Sequence, residues 1–164
     1  MYAFTAKQLK IESGKLSNEY IRGLVEGEGS FTFSTNSIAG KPGKRRKVPA
    51  FAIGMHIRDK NLILKLRNSL GLKNKIYEYH RPQGKDGIKR GPQAMLIVRE
   101  FGPLKNIIVP FFYKKLHGYK GKQFDEWIEK IGSDPEVSEL FKLIYRMFKS
   151  GFYDRNNKFL NEAN

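Results

Sequence analysis

The residues with the means to do chemistry are gathered at positions 21–31, in the run IRGLVEGEGSF. Glu26 and Glu28 fall at the C-terminal end of a helical pattern, where the helix dipole disfavours negative charge. Gly23 and Gly27 stand four apart on the same helix, each costing roughly 1 kcal/mol of helix stability relative to Ala. That cost is intelligible if the missing side chains let a second helix approach closely. Carboxylates in an unfavourable place beside such glycines suit a site that takes a cation. A surface helix closed by a glycine cap, with both glutamates solvated, accounts for the same residues equally well, because acidic helix ends are common despite the dipole. On the residues alone both readings stand.

The surrounding pattern shows what would hold these side chains in place. Ser17 can cap the helix, expected over 17–28, and SFTFSTNS then alternates Phe31 and Phe33 with Ser30, Thr32 and Ser34, a strand expected over 29–37. A basic loop with glycine and proline, IAGKPGKRRK, leads to a second alternating strand over 48–57, with Phe51, Ile53, Met55 and Ile57 on one face. Asp59 is positioned to cap a second helix carrying Leu62, Ile63, Leu66 and Leu70, with Gly71 as its stop signal. Strands three and four are expected over 74–80 and 92–100, with Gly102 and Pro103 ending the hairpin. The remainder reads as helical, with the C-terminal helices over 121–149. One carries Phe124, Trp127, Ile128 and Ile131; the other starts at Asp134–Pro135, with Val137, Leu140, Phe141, Ile144 and Phe148 on one stripe. Residues 150–164 are polar and expected to fray. The order is helix, hairpin, helix, hairpin, helices: a single α+β domain over 1–164 with one four-stranded antiparallel sheet.

Composition narrows the partner. The chain carries 31 Lys and Arg against 16 Asp and Glu, a net charge of +15, and calls for a polyanion. Double-stranded DNA or RNA comes first; a ribosomal setting or an anionic membrane surface is the bland alternative. The absence of cysteine excludes disulfides, thiolate catalysis and Cys-ligated zinc and favours an intracellular protein, with organelle and bacterial or archaeal cytoplasm indistinguishable. The greasiest stretch, residues 107–113, contains Pro110 and is too short to span a bilayer, so no membrane role is expected.

IRGLVEGEGSF closely resembles the motif of the LAGLIDADG homing endonucleases, in the variant G-L-V-E-G-E-G-S-F. The resemblance continues through FAIGMHIRDKNLILKLRNSLG, KNKIYEY and PFFYKKLHGYKGKQFDEW, and so covers roughly residues 15–132. It implies an enzyme of the single-motif, homodimeric type, making double-strand breaks in a long, near-palindromic DNA site by metal-dependent phosphodiester hydrolysis, and encoded in an intron or intein. The motif helix would form the dimer interface through Gly23 and Gly27. Glu28 would be the metal-binding catalytic acid, with the Gly27 carbonyl beside it and Glu26 a secondary candidate. Mg²⁺ is the implied metal, with Mn²⁺ an alternative and Ca²⁺ a non-productive substitute. Lys120 is the best match to the family's pocket lysine and Lys122 the runner-up. The family often has Gln late in the second strand near the attacking water. The alignment puts Met55 there, and since Met cannot do that work, the neighbouring His56 or an ordered water network takes it over.

An antiparallel sheet with one face on the helices leaves the other for DNA. With Phe31 and Phe33 inward, Ser30, Thr32, Ser34 and Asn36 point outward; the same parity sends out Ala50, Ala52, Gly54 and Arg58, then Lys75, Tyr77, Tyr79 and Arg81, then Gln93, Met95, Ile97 and Arg99. Lys44, Arg45, Arg46 and Lys47 are expected at a phosphate-contacting loop tip, and the loop from Lys85 to Arg90 likewise. An RNA maturase and a non-cleaving DNA-binding regulator on the same fold are the competing functions; neither role requires both acids, and both are present.

Overall fold

The computed structural model describes residues 14–80, 85–88 and 91–161. Helix α1 (Asn18–Glu28) is capped as its sequence predicts, the Ser17 hydroxyl accepting the Tyr20 N–H at 3.1 Å. It runs without a connecting loop into β1 (Gly29–Ser37). Gly29 makes that transition possible: a Cβ there would lie 2.6 Å from Val25 Cγ1, and Val25 is wholly buried. The hairpin returns as β2 (Arg45–His56), followed by a 3₁₀ turn (Ile57–Asp59) and α2 (Lys60–Ser69). Strands β3 (Tyr77–Tyr79) and β4 (Gln93–Val98) complete one antiparallel sheet in the order β1-β2-β4-β3.

The register settles which side chains share a face, because directly opposed residues point the same way. Phe51 lies opposite both Phe31 and Val98, and Ile53 opposite Leu96, all facing the helices. On the other face Ser30 opposes Ala52, which opposes Ile97, and Gly54 opposes Met95, which opposes Tyr77. The parity read from the sequence is therefore the parity of the fold.

After β4 come α3 (Phe101–Pro103), a π-helical turn (Leu104–Ile108) and α4 (Val109–Phe112), a near-continuous helical rod. Gly102 and Pro103 end the hairpin, as the sequence reading has it, and also open this rod, where the first N–H groups need no intrahelical acceptor. In the π turn Val109 N–H donates to the Leu104 carbonyl, one residue further back than in an α-helix. The Lys105 carbonyl so released accepts the Tyr153 hydroxyl at 3.0 Å.

Helix α5 (Tyr119–Ser133) packs on the inner face, α6 (Glu139–Lys149) packs on α5, and α7 (Phe152–Arg155) on α6. The Phe31 ring meets Phe51, Phe112, Phe124 and Trp127, with centroids 5.0–5.7 Å away, and the Trp127 indole N–H donates to the Thr32 carbonyl at 2.8 Å. Helix α5 is thereby fixed against β1.

Further expectations are corrected. Strand β2 begins at Arg45 rather than 48, while β3 and β4 are shorter than expected. Asp59 makes no side-chain cap; it belongs to the 3₁₀ turn, whose amide at Arg58 is accepted by His56 Nδ1 at 3.2 Å. Helix α6 starts at Glu139, because Asp134 and Pro135 form a turn whose next residues pair with β2. Leu140, assigned to the buried stripe, is half exposed. The segment from 150 to 160 is packed rather than frayed: Tyr153 is 1% exposed and Phe159 stands edge-on to Phe111 at 5.1 Å.

Candidate active site and nucleic-acid interface

Helix α1 presents two opposite faces. Ile21 and Val25 are buried in the core, whereas Tyr20, Gly23 and Gly27 form an exposed stripe at i, i+3 and i+7. A Cβ built at Gly23 or Gly27 meets nothing within 4 Å, so this chain does not itself require glycine at either position. Arg22, on the inner side, is 2% exposed; its Nε donates to the Phe111 carbonyl at 3.1 Å and its guanidinium stacks 4.5 Å over the Phe111 ring. This anchor, between motif helix and helical rod, gave no signal in the sequence beyond one charged residue in an amphipathic pattern.

The two glutamates have different situations. Glu26 Oε1 accepts the backbone N–H groups of His117 at 2.7 Å and Gly118 at 2.5 Å, binding the helix end to the segment entering α5. Its carboxylate is committed to orientation. Glu28, two residues on, is exposed at the helix terminus. Lys120 is brought to the same place: its ammonium donates to the Gly29 carbonyl at 2.6 Å, putting positive charge at the negative end of the helix dipole and beside the residue following Glu28. The structure thus brings Lys120 to the carbonyl of the residue that follows Glu28.

Lys122 is directed elsewhere. It stands 5.9 Å over the Tyr119 ring and lines a cleft shared with Lys114, Asp125 and Glu129. Neither residue considered for the second strand's polar role is suitably placed. Met55 opposes the buried Ala94 on the helix-facing side, so it belongs to the core. His56 lies on the outer face but three residues past Ile53, the partner of Gly29, about 10 Å along the strand. Its Nδ1 is engaged by Arg58, and Gly91 lies close against its Nε2. The outward β2 positions nearest the end of α1 are Ala52 and Gly54, both lacking a polar side chain.

The outer face of the sheet matches its expected composition. Ser30, Thr32 and Asn36 are exposed, and Ser34 partly so. Tyr77 and Tyr79 stand side by side at the β3 edge with centroids 6.3 Å apart. Lys75 precedes β3, its ammonium 5.7 Å from the Tyr77 ring, while Arg58 and Arg99 are exposed just beyond strand ends. Arg81, Lys89 and Arg90 lie outside the described residues. The basic hairpin is divided: Lys44, Arg45 and Arg46 are exposed, with Arg46 opposite Asn36 on the outer face. Lys47 opposes Thr35 on the other face and is ion-paired to Asp134 at 2.7 Å, so its grouping with the loop tip is corrected.

Among the described residues, no group of three or more His, Cys, Asp and Glu side chains comes together, and no helix is long and apolar enough to cross a membrane. A family model described as LAGLIDADG endonuclease matches residues 21–131. Among solved structures, the homing endonuclease I-TnaI is similar, with a TM-score of 0.58 and 23% identity over 84% of this chain and 77% of that one. The I-LtrWI LAGLIDADG homing endonuclease, solved bound to target DNA, gives a TM-score of 0.55 and 25% identity over 82% of this chain and 43% of that one. Meganuclease I-SmaMI bound to uncleaveable DNA gives 0.59 and 24% over 89% of this chain and 46% of that one. This chain therefore spans less than half the length of the latter two. The family match takes in more than half of the 164 residues, including most of the motif helix, the whole sheet and most of α5: the chain belongs to the LAGLIDADG endonuclease family.

Proposed function

We propose that the protein is a homodimeric, site-specific homing endonuclease that makes double-strand breaks in a long, near-palindromic DNA target by Mg²⁺-dependent phosphodiester hydrolysis. The observation that carries this reading is the convergence at the end of α1. An exposed glycine stripe, an exposed Glu28 and the Lys120 ammonium meet where the uncovered face of the sheet begins.

The donor set suits a hard cation. It consists of oxygen alone, the Glu28 carboxylate and the main-chain carbonyls that a helix leaves without intrahelical partners, Gly27's among them. One chain supplies only part of a coordination shell, which favours a site completed by a second copy and by DNA phosphate. When bound, the metal would supply charge neutralisation at the phosphate and an activated water. Mn²⁺ would suit the same oxygens, and Ca²⁺ would occupy them with looser geometry.

The chain's own residues do the rest. Glu26, held by two backbone amides, keeps the helix end in register with α5, so that Lys120 and Glu28 are offered together. The Lys120 ammonium is placed to stabilise charge developing on the phosphate. Ala52 and Gly54 add no polar group beside the acid, and the Met95 side chain lies against Gly54. Twofold pairing through the Gly23 and Gly27 stripe would bring two such ends together, one for each strand of the duplex. The outer face, polar at β1 and aromatic at β3, would lie in the major groove.

The test is Glu28→Gln, which keeps size and hydrogen bonding but removes the charge a cation needs. Cleavage of a target selected from a randomised DNA library should fall to background with Mg²⁺ present, while affinity in Ca²⁺ is kept. Full cleavage by the variant would put the active site elsewhere.

A further inference from the structure

The turn between α5 and α6 acts on the sheet as well as on the helices it joins. Strand β4 pairs with β2 only at residues 51–56, so the preceding part of β2 has β1 on one edge and no β4 on the other. Residues 136 and 137 take that edge. Lys47 N–H donates to the Glu136 carbonyl at 3.1 Å, and Lys47 and Val137 form an isolated parallel bridge. The side chains close the same contact, Lys47 Nζ lying 2.7 Å from Asp134 Oδ2. Asp134 Oδ1 accepts the Glu136 N–H at 2.8 Å, so one carboxylate holds both the lysine and the turn presenting the carbonyl. Val137 is 3% exposed, which anchors the turn in the core. The hydrogen bond from Lys47 holds the Asp134 carboxyl below its ordinary range, in keeping with a well-formed pair.

Beyond Lys47 the β1–β2 ribbon continues, among the described residues, as two strands only, ending in the turn at 38–44. A two-stranded ribbon without further support is marginally stable and easily twisted. A cleft of about 420 Å³ lies between its tip and residues 135–138, leaving room for the tip to swing. What fixes the ribbon's direction at this edge is the contact at Lys47.

We infer that Asp134 is a positioning residue which, through Lys47, aims the β1–β2 ribbon so that Asn36, Arg46 and the basic tip reach the outer part of each DNA half-site. The inference rests on the endonuclease reading above. Lys47 is six residues along β2 from Ile53, the partner of Gly29, or about 20 Å, so the clamp is remote from Glu28.

The experiment compares wild type, Asp134→Asn, Lys47→Met and Lys47→Arg on a target selected from randomised DNA and on its single-base variants. Asp134→Asn and Lys47→Met should raise KM about tenfold, the scale of one lost recognition contact, and relax discrimination at the outermost base pairs of each half-site. Their kcat and their discrimination at the central base pairs should stay at wild-type values, and Lys47→Arg, which keeps the ion pair, should behave as wild type. Thermal unfolding of each variant guards against a general loss of structure. Variants with unchanged KM and outer discrimination overturn the clamp. So does an equal loss at every position of the site, or failure of both Asp134→Asn and Lys47→Met to fold. A wild-type protein that cuts no member of the library overturns the endonuclease reading itself, and the clamp's role in DNA binding with it.

Discussion

Gly23→Leu separates the stability of the chain from its association, because the structure gives the two effects opposite signs. Within one chain a Cβ at Gly23 meets nothing within 4 Å, and the position is exposed in the interior of α1. Leucine should therefore stabilise the isolated fold by helix propensity, about 0.8 kcal/mol. For a domain of this size that raises Tm by roughly 2–3 °C. In a twofold dimer packed through this face, the added side chain enters the helix crossing twice. Overpacking costs about 1–3 kcal/mol per substitution, so the pair should weaken association by about 2–6 kcal/mol, or roughly 30-fold to 10⁴-fold in dissociation constant. Sedimentation over a concentration series, thermal unfolding at the lowest concentration and cleavage of a selected target read the three quantities. The expected result is a monomer with unimpaired or raised Tm and little cleavage. A variant that is dimeric and cuts as wild type would refute the glycine-stripe interface, and a monomer with markedly lowered Tm would show that this face is not open within the chain.

Lys120→Met should lower kcat by about 10²–10³-fold, less completely than Glu28→Gln, since a single electrostatic donor is removed; KM and kcat measured separately check this. Neutralising Lys44, Arg45 and Arg46 together should weaken DNA binding and flatten its dependence on salt, with sequence preference little changed, as read by titrations at several salt concentrations. An unchanged slope would mean that the hairpin tip does not touch the backbone. Tyr153→Phe removes the donor to the Lys105 carbonyl and should cost about 1–3 kcal/mol in denaturant unfolding, the penalty of an unsatisfied carbonyl released by the π turn.

How much of the fold was legible follows from the range of the interactions involved. The Ser17 cap, the alternation of β1 and the position of Gly71 just past α2, with φ of 74°, are decided within a few residues, and the sequence reading has all of them. The parity of the sheet was equally legible, since a period of two sends Ser30, Thr32 and Asn36 to one side wherever the strand is placed. The helical character of the chain after Gly102 and Pro103 was legible as well, but not the π turn inside it. That turn depends on Tyr153, 48 residues away, to satisfy the carbonyl it frees.

The same division runs through the candidate site. By itself the sequence determined that two carboxylates end a helix carrying two glycines, because helix periodicity and the strand pattern after Gly29 place them there. The residues alone left open which acid is committed and which is available, although the family resemblance implied Glu28 as the metal ligand and Glu26 as orienting the helix end or binding solvent. Tertiary structure decided that, through the His117 and Gly118 amides, 91 and 92 residues from Glu26, which claim one carboxylate and leave Glu28 exposed. It likewise brought Lys120 rather than Lys122 to the Gly29 carbonyl, and took Lys47 out of a basic run to pair it with Asp134. Charge and spacing fix what a side chain can do within a few residues; its partner is set by packing between segments that are neighbours only in the folded chain.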